Sequence, residues 1–325
     1  MARQGGERDG ELSLAIRAAW LHYTAGLTQS EVAGRLGVSA AKAHRLIAFA
    51  SQNGAVRVTV EGPVVECIEL ENALSQAFGL TECHVAPDLG EEGLPLRALG
   101  AEGARFLERE ISGGCPLIGI GHGRTLLAAV EALPRMDARD TRFVALMGAL
   151  TRSFSAAPHD VMQALALRTG AEARVLPVPV FANSAEDRAV LRDQHAVREV
   201  FGLGARADLL VAGIGTTRPD TQMVTARMVD AAEIALLRAE GAVGEMLGHF
   251  FAADGTPLRT GLTDRTLAPT LDSLRDRRIV AVAGGADKVE ALSAVLRAGL
   301  LTGLVTDEAT ARDLARMHDQ GGTTA

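Results

Sequence analysis

The spacing of apolar residues changes character twice along the chain. Up to about residue 60 they recur every three to four positions, the period of short amphipathic helices. Leu14, Ala18, Leu21 and Ala25 share one face of a helix over 12–24 that Gly26 ends. Val32 and Leu36 stand at i and i+4 of a second helix, and a third turns Leu46, Ile47 and Phe49 inward. Asn53-Gly54 marks a turn, and AVRVTV (55–60) reads as a small β element, a wing. Residues 1–10 are polar and charged, and predict a disordered start. Gly62-Pro63 is a boundary. The helical period returns beyond it, with Leu70, Leu74 and Phe78 four apart. That segment, 61–80, predicts a linker helix with a face for pairing with a second copy.

From about Thr81 the pattern becomes strand, Gly-rich turn, helix, repeatedly. PLIGI, RFVALMG, RVLPVPV, DLLVAGIG, RIVAVAGG and LLTGLVTD are near-continuous apolar runs, as expected of strands buried on both faces. Helices over 125–132, 162–168, 289–297 and 308–317 alternate with them. The fold class is therefore α/β: a small N-terminal helical domain (1–60), a linker helix (61–80) and a doubly wound, mostly parallel domain (81–325). Ligands in such sheets bind beyond the carboxyl ends of the strands.

TQSEVAGRLGVSAAKAHRL, from Thr28, orders the helices as helix, tight turn, helix. Thr28 and Glu31 have capping-box spacing. Ala33 is small where two helices cross, Gly37 suits a left-handed helix stop, and Ser39 suits the next amino-terminal cap. Helix-turn-helix units with a wing place the second helix in the DNA major groove. On its exposed side Ser39, Lys42, His44 and Arg45 are the candidate DNA contacts, with Thr28 and Gln29 at the start of the preceding helix. Charge agrees. The whole chain carries −7, but residues 1–60 hold seven Lys or Arg against four Asp or Glu, leaving 26 against 36 in the remainder. The positive excess sits where phosphates would be met.

Composition narrows the rest. The chain is 47% apolar with only 3% aromatics, so Leu, Val, Ile and Ala build the core. Cys67, Cys83 and Cys115 lack metal-ligand spacing and suit a reducing cytoplasm. The first residues form no signal peptide, and no apolar run reaches membrane-spanning length.

Three turns are Gly-rich: GIGHGRT (119–125), GIGTT (213–217) and AGGADK (283–288). Glycines there let backbone amides approach an anion at a helix amino terminus. Of the chain's two lysines, Lys288 falls in the first turn of its helix, and Arg124 starts another. A cation there opposes the helix dipole by about 0.3–1 kcal/mol; an anionic ligand shared by the turns would remove the conflict. Arg124, Thr125 and Lys288, with the amides of Gly123, Gly284 and Gly285, form the candidate phosphate site. His159 and Asp160 follow Pro158 at a helix start, where Asp160 can cap and His159 can bond a hydroxyl. Glu245 lies among small and apolar residues, where a carboxylate needs hydroxyls or a cation; a ligand polyol or an internal Arg would serve. His122 and His249 suit either ligand contact or the core. GIGHGRT lacks the third Gly of a dinucleotide fingerprint, and no catalytic constellation or cofactor motif stands out.

In the order GLTQSEVAGRLGVS, ENALSQAFGL, GIGHGRTL, GIGTT, GAVGEMLGHFFAADG, AVAGGADKVEAL and GLVTDEATA, the chain from about Leu12 to Met317 resembles the SorC family of sugar-responsive transcription regulators. WLHYTAGLTQSEVA, APHDVM and PVPVFANSAEDR resemble its branch that represses erythritol catabolism. The resemblance implies a winged helix-turn-helix, a Rossmann-like (sugar-isomerase-like) effector domain, a dimer or tetramer, and a sugar, polyol or sugar phosphate as inducer. It sets the effector phosphate against Arg124, Thr125, Gly285 and Lys288, with Glu245 facing the sugar. There are departures. The family often has Trp at His122 and Asp at Glu245, and its Gly-Gly turn after the third strand reads MGALTR here, leaving Gly148 as the candidate contact. Ala40 and Ala41 replace longer side chains on the second helix. The expectation is a cytoplasmic, ligand-controlled DNA-binding regulator with no cofactor and no enzymatic activity. The alternatives are an isomerase or deaminase acting on sugar phosphates with an accessory helical domain, and a dinucleotide-dependent oxidoreductase.

Overall fold

In the structure, a computed structural model, residues 3–56, 65–149 and 161–321 are described. The chain divides into two units, Met1–Pro63 and Val64–Ala325.

In the first unit, α1 (Arg3–Ala19) runs into one π turn, Trp20–Thr24, where the Ala25 N–H reaches the Trp20 carbonyl at 3.0 Å. The helix thus starts at Arg3, where a disordered lead of ten residues was expected; that stretch lacks apolar periodicity, so its sequence carries no helical signal. The extra residue of the π turn rotates the residues beyond it about the helix axis. Ala15, Ala18, Ala19 and Leu21 are buried, while Ala25 faces outward. Gly26, at φ +70°, stops the helix. In α2 (Gln29–Leu36) both halves of the capping box are made: the Glu31 N–H donates to Thr28 Oγ1 at 3.3 Å, and the Thr28 N–H to Glu31 Oε2 at 2.7 Å. Gly37 ends it at φ +66°, and Ser39 caps α3 (Ala40–Gln52) by accepting the Lys42 N–H. Val32 and Ala33 meet Ala43, Leu46, Ile47 and Ala50 in one core. Phe49, expected inward, is exposed, because the stripe at 43, 46, 47 and 50 leaves position 49 on its flank. From Arg57 the expected wing lies outside the described residues.

The second unit opens with α4 (Val65–Phe78), β1 (Glu82–Ala86), α5 (Leu96–Ser112), β2 (Leu117–Ile120), α6 (Arg124–Ala132), β3 (Arg142–Ala145), α7 (Val161–Thr169) and β4 (Glu172–Arg174). After α8 (Ala185–Asp193), α9 (His195–Gly204) and β5 (Leu209–Ala212) comes an excursion: β6 (Gly215–Thr216), α10 (Gln222–Thr225), α11 (Ala231–Ala239), β7 (Ala242–Met246), β8 (His249–Ala252), β9 (Pro257–Leu258) and α12 (Leu271–Leu274). The chain rejoins the sheet with β10 (Ile279–Val282), α13 (Val289–Arg297), β11 (Gly303–Asp307) and α14 (Glu308–Gly321).

Seven strands form one parallel sheet in the order β1-β11-β10-β5-β2-β3-β4. Successive residues alternate between its two faces. On β5, Leu209 and Val211 join the core under α5, α6 and α7, while Leu210 and Ala212 join the core under α4, α9, α13 and α14. The segment 61–80 contributes α4, whose Cys67 and Leu74 are buried in this second core. RVLPVPV is not a long strand: β4 ends at Arg174, and Pro177 and Pro179 deny the following segment two ladder donors, leaving an isolated bridge from Ala149 to Pro179. From β2 the chain proceeds to β3 and β4 on one side, and from β5 to β10 and β11 on the other. The β2/β5 boundary is therefore a topological switch point, where ligands of such sheets bind. The excursion adds an antiparallel sheet, β6-β7-β8-β9, beside that point. Among the described residues no helix is long and apolar enough to cross a membrane, and no group of side chains could hold a metal ion.

Candidate functional site

At the switch point the three glycine turns meet. The turn after β2 approaches the turn after β5 so closely that a Cβ on Gly213 would lie 3.0 Å from the His122 carbonyl. The Gly121 N–H donates to the Val211 carbonyl at 2.8 Å. Thr125, on the first turn of α6, donates its hydroxyl to the Val282 carbonyl at the end of β10, at 2.6 Å. Lys288, after β10, donates to the Ile214 carbonyl at 2.7 Å. Helix packing fixes α6 behind this junction: a Cβ on Gly103 of α5 would come 2.7 Å from that of Ala129.

Between the turns lies a cavity of about 140 Å³, lined in part by His122, Gly123, Arg124, Thr125, Glu245 and Lys288. Drug-sized ligands occupy pockets of roughly 300–1,000 Å³, so this one suits a small metabolite. No side chain caps the amino terminus of α6, and its first turn holds Arg124 and no acid. Its free backbone N–H groups and dipole favour an anion. Burial pushes Lys288 down to about 8, with the like charge of Arg124 adding to the effect and Glu245 opposing it.

Glu245 reaches the cavity through the small sheet. β7 pairs with β6 so that Glu245 lies opposite Gly215, and a Cβ on Gly215 would overlap the Glu245 carboxylate. The turn from β7 to β8 has two central residues at positive φ, Leu247 (+51°) and Gly248 (+76°), the type I′ form that suits hairpin twist. That turn aims the Gly248 N–H at Glu245 Oε1, 2.6 Å away. Leu247 takes a conformation usually left to Gly or Asn, and it is buried against the cavity. Burial pushes Glu245 up to about 7, against the Gly248 hydrogen bond and the Lys288 charge. One end of the cavity therefore offers cations and helix amides. Beside it stands a carboxyl group that can accept from or, when protonated, donate to hydroxyls.

Not every expected contact is there. Gly284 and Gly285 do not line the cavity. The Gly285 N–H is taken by Asp307 Oδ2 (3.1 Å) and Thr310 Oγ1 (2.7 Å), and a Cβ on Gly284 would overlap the Asp307 carboxylate. The turn is thus bound to the end of β11, and its glycines serve close packing. The Thr125 hydroxyl, committed to Val282, has no proton left for a ligand. Gly148 is also absent from the wall: its N–H donates to the Leu267 carbonyl at 3.1 Å, and the Val178 and Pro179 carbonyls leave no room for a Cβ. His159 and Asp160 lie outside the described residues. His249 is a satisfied interior histidine, its Nε2 2.7 Å from the Pro269 carbonyl, with burial lowering its pKa. Sequence reasoning missed Arg218, Met147, Met223 and Met228 as cavity residues; no local pattern marks them.

In the first unit Thr28, Gln29, Ser39, Lys42, His44 and Arg45 are all exposed. His44 Nδ1 and Gln29 Oε1 lie 3.2 Å apart, joining the start of α2 to α3. Lys42 and Arg45 stand three positions apart on the second helix, and hence on one face.

A helix-turn-helix with exposed cations on its second helix, together with a doubly wound domain holding a small polar cavity at its switch point, defines a ligand-controlled DNA-binding regulator. The Sugar-bind model, a sugar-binding domain, matches residues 62–316. The erythritol catabolism regulatory protein EryD of Brucella abortus is 56% identical over 307 residues, covering 94% of this chain and 97% of that protein. The transcriptional regulator LsrR of an Enterobacter species is 32% identical, covering 93% and 92%. Among solved structures, the full-length sorbitol operon regulator SorC of Klebsiella pneumoniae superposes with a TM-score of 0.75 at 25% identity, over 93% of this chain and 98% of that one. The chain belongs to the SorC family of sugar-binding transcriptional regulators. Like these relatives it is a transcriptional regulator and not an enzyme.

Proposed function

We propose that a short polyol or its phosphate binds the cavity and changes the affinity of the amino-terminal helices for operator DNA. Its anionic or most polar end would meet Arg124, Lys288 and the first amides of α6, with its hydroxyls on Glu245 and His122. The observation that carries this reading is the desolvated Lys288 and the partly covered Glu245 facing one small cavity beside an uncapped helix terminus. The name of the Brucella relative points to erythritol or a product of its catabolism. Residues 1–60 would bind DNA as a winged helix-turn-helix, 61–80 would join the two parts, and 81–325 would hold the effector. Arg45 would reach a base edge, Lys42 a phosphate, and Thr28, Gln29, Ser39 and His44 the neighbouring backbone. Two copies, as a homodimer or within a homotetramer, would read two half-sites and repress transcription in the cytoplasm.

A ligand shifts such a regulator only by binding its DNA-competent and DNA-incompetent states unequally, and a tenfold change in operator affinity needs about 1.4 kcal/mol of coupling. The test is a thermal-shift screen of sugars, polyols and their phosphates. A true effector raises the melting temperature by linkage and changes operator affinity at the same concentrations. If no member of the screen does both, the reading fails.

A further inference from the structure

We propose that Met147, Met223 and Met228 form the apolar wall of the effector cavity and set the longest carbon chain the regulator accepts. This rests on the reading of that cavity as the effector site. Three of the chain's eight methionines line this one cavity, each 6–8% exposed. They come from two separate segments: Met147 follows β3, while Met223 lies in α10 and Met228 just beyond it. Lys288 follows β10, and β10, β5, β2 and β3 are neighbours in that order. Three strand spacings of about 4.8 Å place Met147 about 14 Å across the sheet from the β10 turn. Lys288 and Met147 thus stand at opposite flanks of the cavity, with Arg124, which follows β2, between them. At about 140 Å³ the cavity has little spare room.

A polyol chain anchored by its polar head at Arg124 and Lys288 grows toward the methionines. Every further carbon brings a hydroxyl. A thioether is at best a weak acceptor and never a donor, so a hydroxyl driven against a methionine loses water and gains no partner from that side chain. Methionine is also soft: an unbranched side chain can rotate aside. The penalty for an extra carbon thus comes more from the unpaired hydroxyl than from a rigid clash. Apolar pockets reject an added hydroxyl by a factor on the order of a hundred, so the discrimination expected here is about ten- to a hundredfold per carbon.

Calorimetric titration of the full chain with alditols of three to six carbons, and with their terminal phosphates, tests this. The wild type should bind one short member best and lose at least tenfold on the next carbon. Met147→Ala, Met223→Ala and Met228→Ala should each move the optimum toward longer chains, whereas volume-conserving Met→Leu changes should not. Met223→Gln keeps the shape and adds a hydrogen-bonding amide; it should favour the longer member, and it serves where an alanine variant fails to fold. An unchanged ranking in the Ala and Gln variants, or a wild type that takes six carbons as well as four, overturns the wall while leaving the effector site standing. Absence of binding by every member to the wild type overturns the effector reading itself, and the wall with it.

Discussion

Replacing Lys288 by methionine should leave the ligand-free protein as stable as before or more so, while sharply weakening its response to effector. Lys288 holds its charge at a cost in the empty cavity: the fall from the usual 10.5 to about 8 corresponds, at about 1.4 kcal/mol per pK unit, to about 3 kcal/mol of destabilisation at neutral pH. Methionine fills similar space without that charge. It cannot donate to the Ile214 carbonyl, which lies on a buried residue, and an unpaired buried carbonyl costs about 1–3 kcal/mol. The balance is a gain of about 0–2 kcal/mol. For a unit of this size that raises the melting temperature by up to roughly 6 °C. An anionic effector loses a charge-assisted hydrogen bond worth about 1.5–3 kcal/mol, so its affinity should fall about ten- to a hundredfold. The assay is differential scanning calorimetry with and without ligand, paired with operator titration, which should be unchanged in the ligand-free variant. A drop of several degrees in the ligand-free melting temperature would mean that Lys288 is structural. Unaltered effector affinity would place the anionic end elsewhere.

The same two groups set a pH profile. Glu245 binds a proton more tightly folded than unfolded, so its contribution to stability is full below about 4.5 and is lost as pH rises to about 7. Lys288 binds its proton less tightly folded, so its contribution is absent below about 8 and is gained as pH rises toward 10.5. Ligand-free melting temperatures should therefore fall across the first window and rise across the second, and Glu245→Gln should remove the fall alone; a fall that persists in that variant assigns it to another group. Gly215→Ala, which sets a methyl group on the Glu245 carboxylate, should weaken effector binding at least tenfold with operator affinity intact; normal induction would show that the carboxylate does not face the ligand. Arg45→Ala should weaken operator binding by about 1–3 kcal/mol with effector-induced stabilisation unchanged, and an unaltered operator affinity would count against α3 as the reading helix.

How much of the fold is legible in the sequence depends on how far each determinant reaches. The helix-turn-helix is written in short-range signals. Thr28 with Glu31, Gly37, and Ser39 with Lys42 each act within one helical turn, and all appear as the spacing requires. The central strands are legible for a similar reason, since a strand buried on both faces is apolar at nearly every position. The π turn at Trp20–Thr24 breaks the 3.6-residue period that sequence reading assumes, which is why Ala25 leaves the buried face that the spacing gives it. RVLPVPV has a strand's composition, but its two prolines forbid the ladder.

The glycine turns separate local from long-range information most sharply. GIGHGRT and AGGADK look alike as anion-binding turns, yet only the first keeps a glycine, Gly123, on the cavity wall. The second is closed by Asp307 and Thr310, some twenty residues downstream, which take the Gly285 amide and form a buried network: Asp307 accepts the Thr310 N–H at 3.0 Å and its hydroxyl at 2.6 Å. No rule applied to the turn alone anticipates that partner. The closure also has a use. It ties the turn that carries Lys288 to β11, so the ammonium group is held against the Ile214 carbonyl by the sheet and not by a free loop. A cation held in that way is desolvated before any ligand arrives. The anion that relieves it then binds one arrangement of the turns in preference to others, and a regulator needs that inequality to couple its cavity to its grip on DNA.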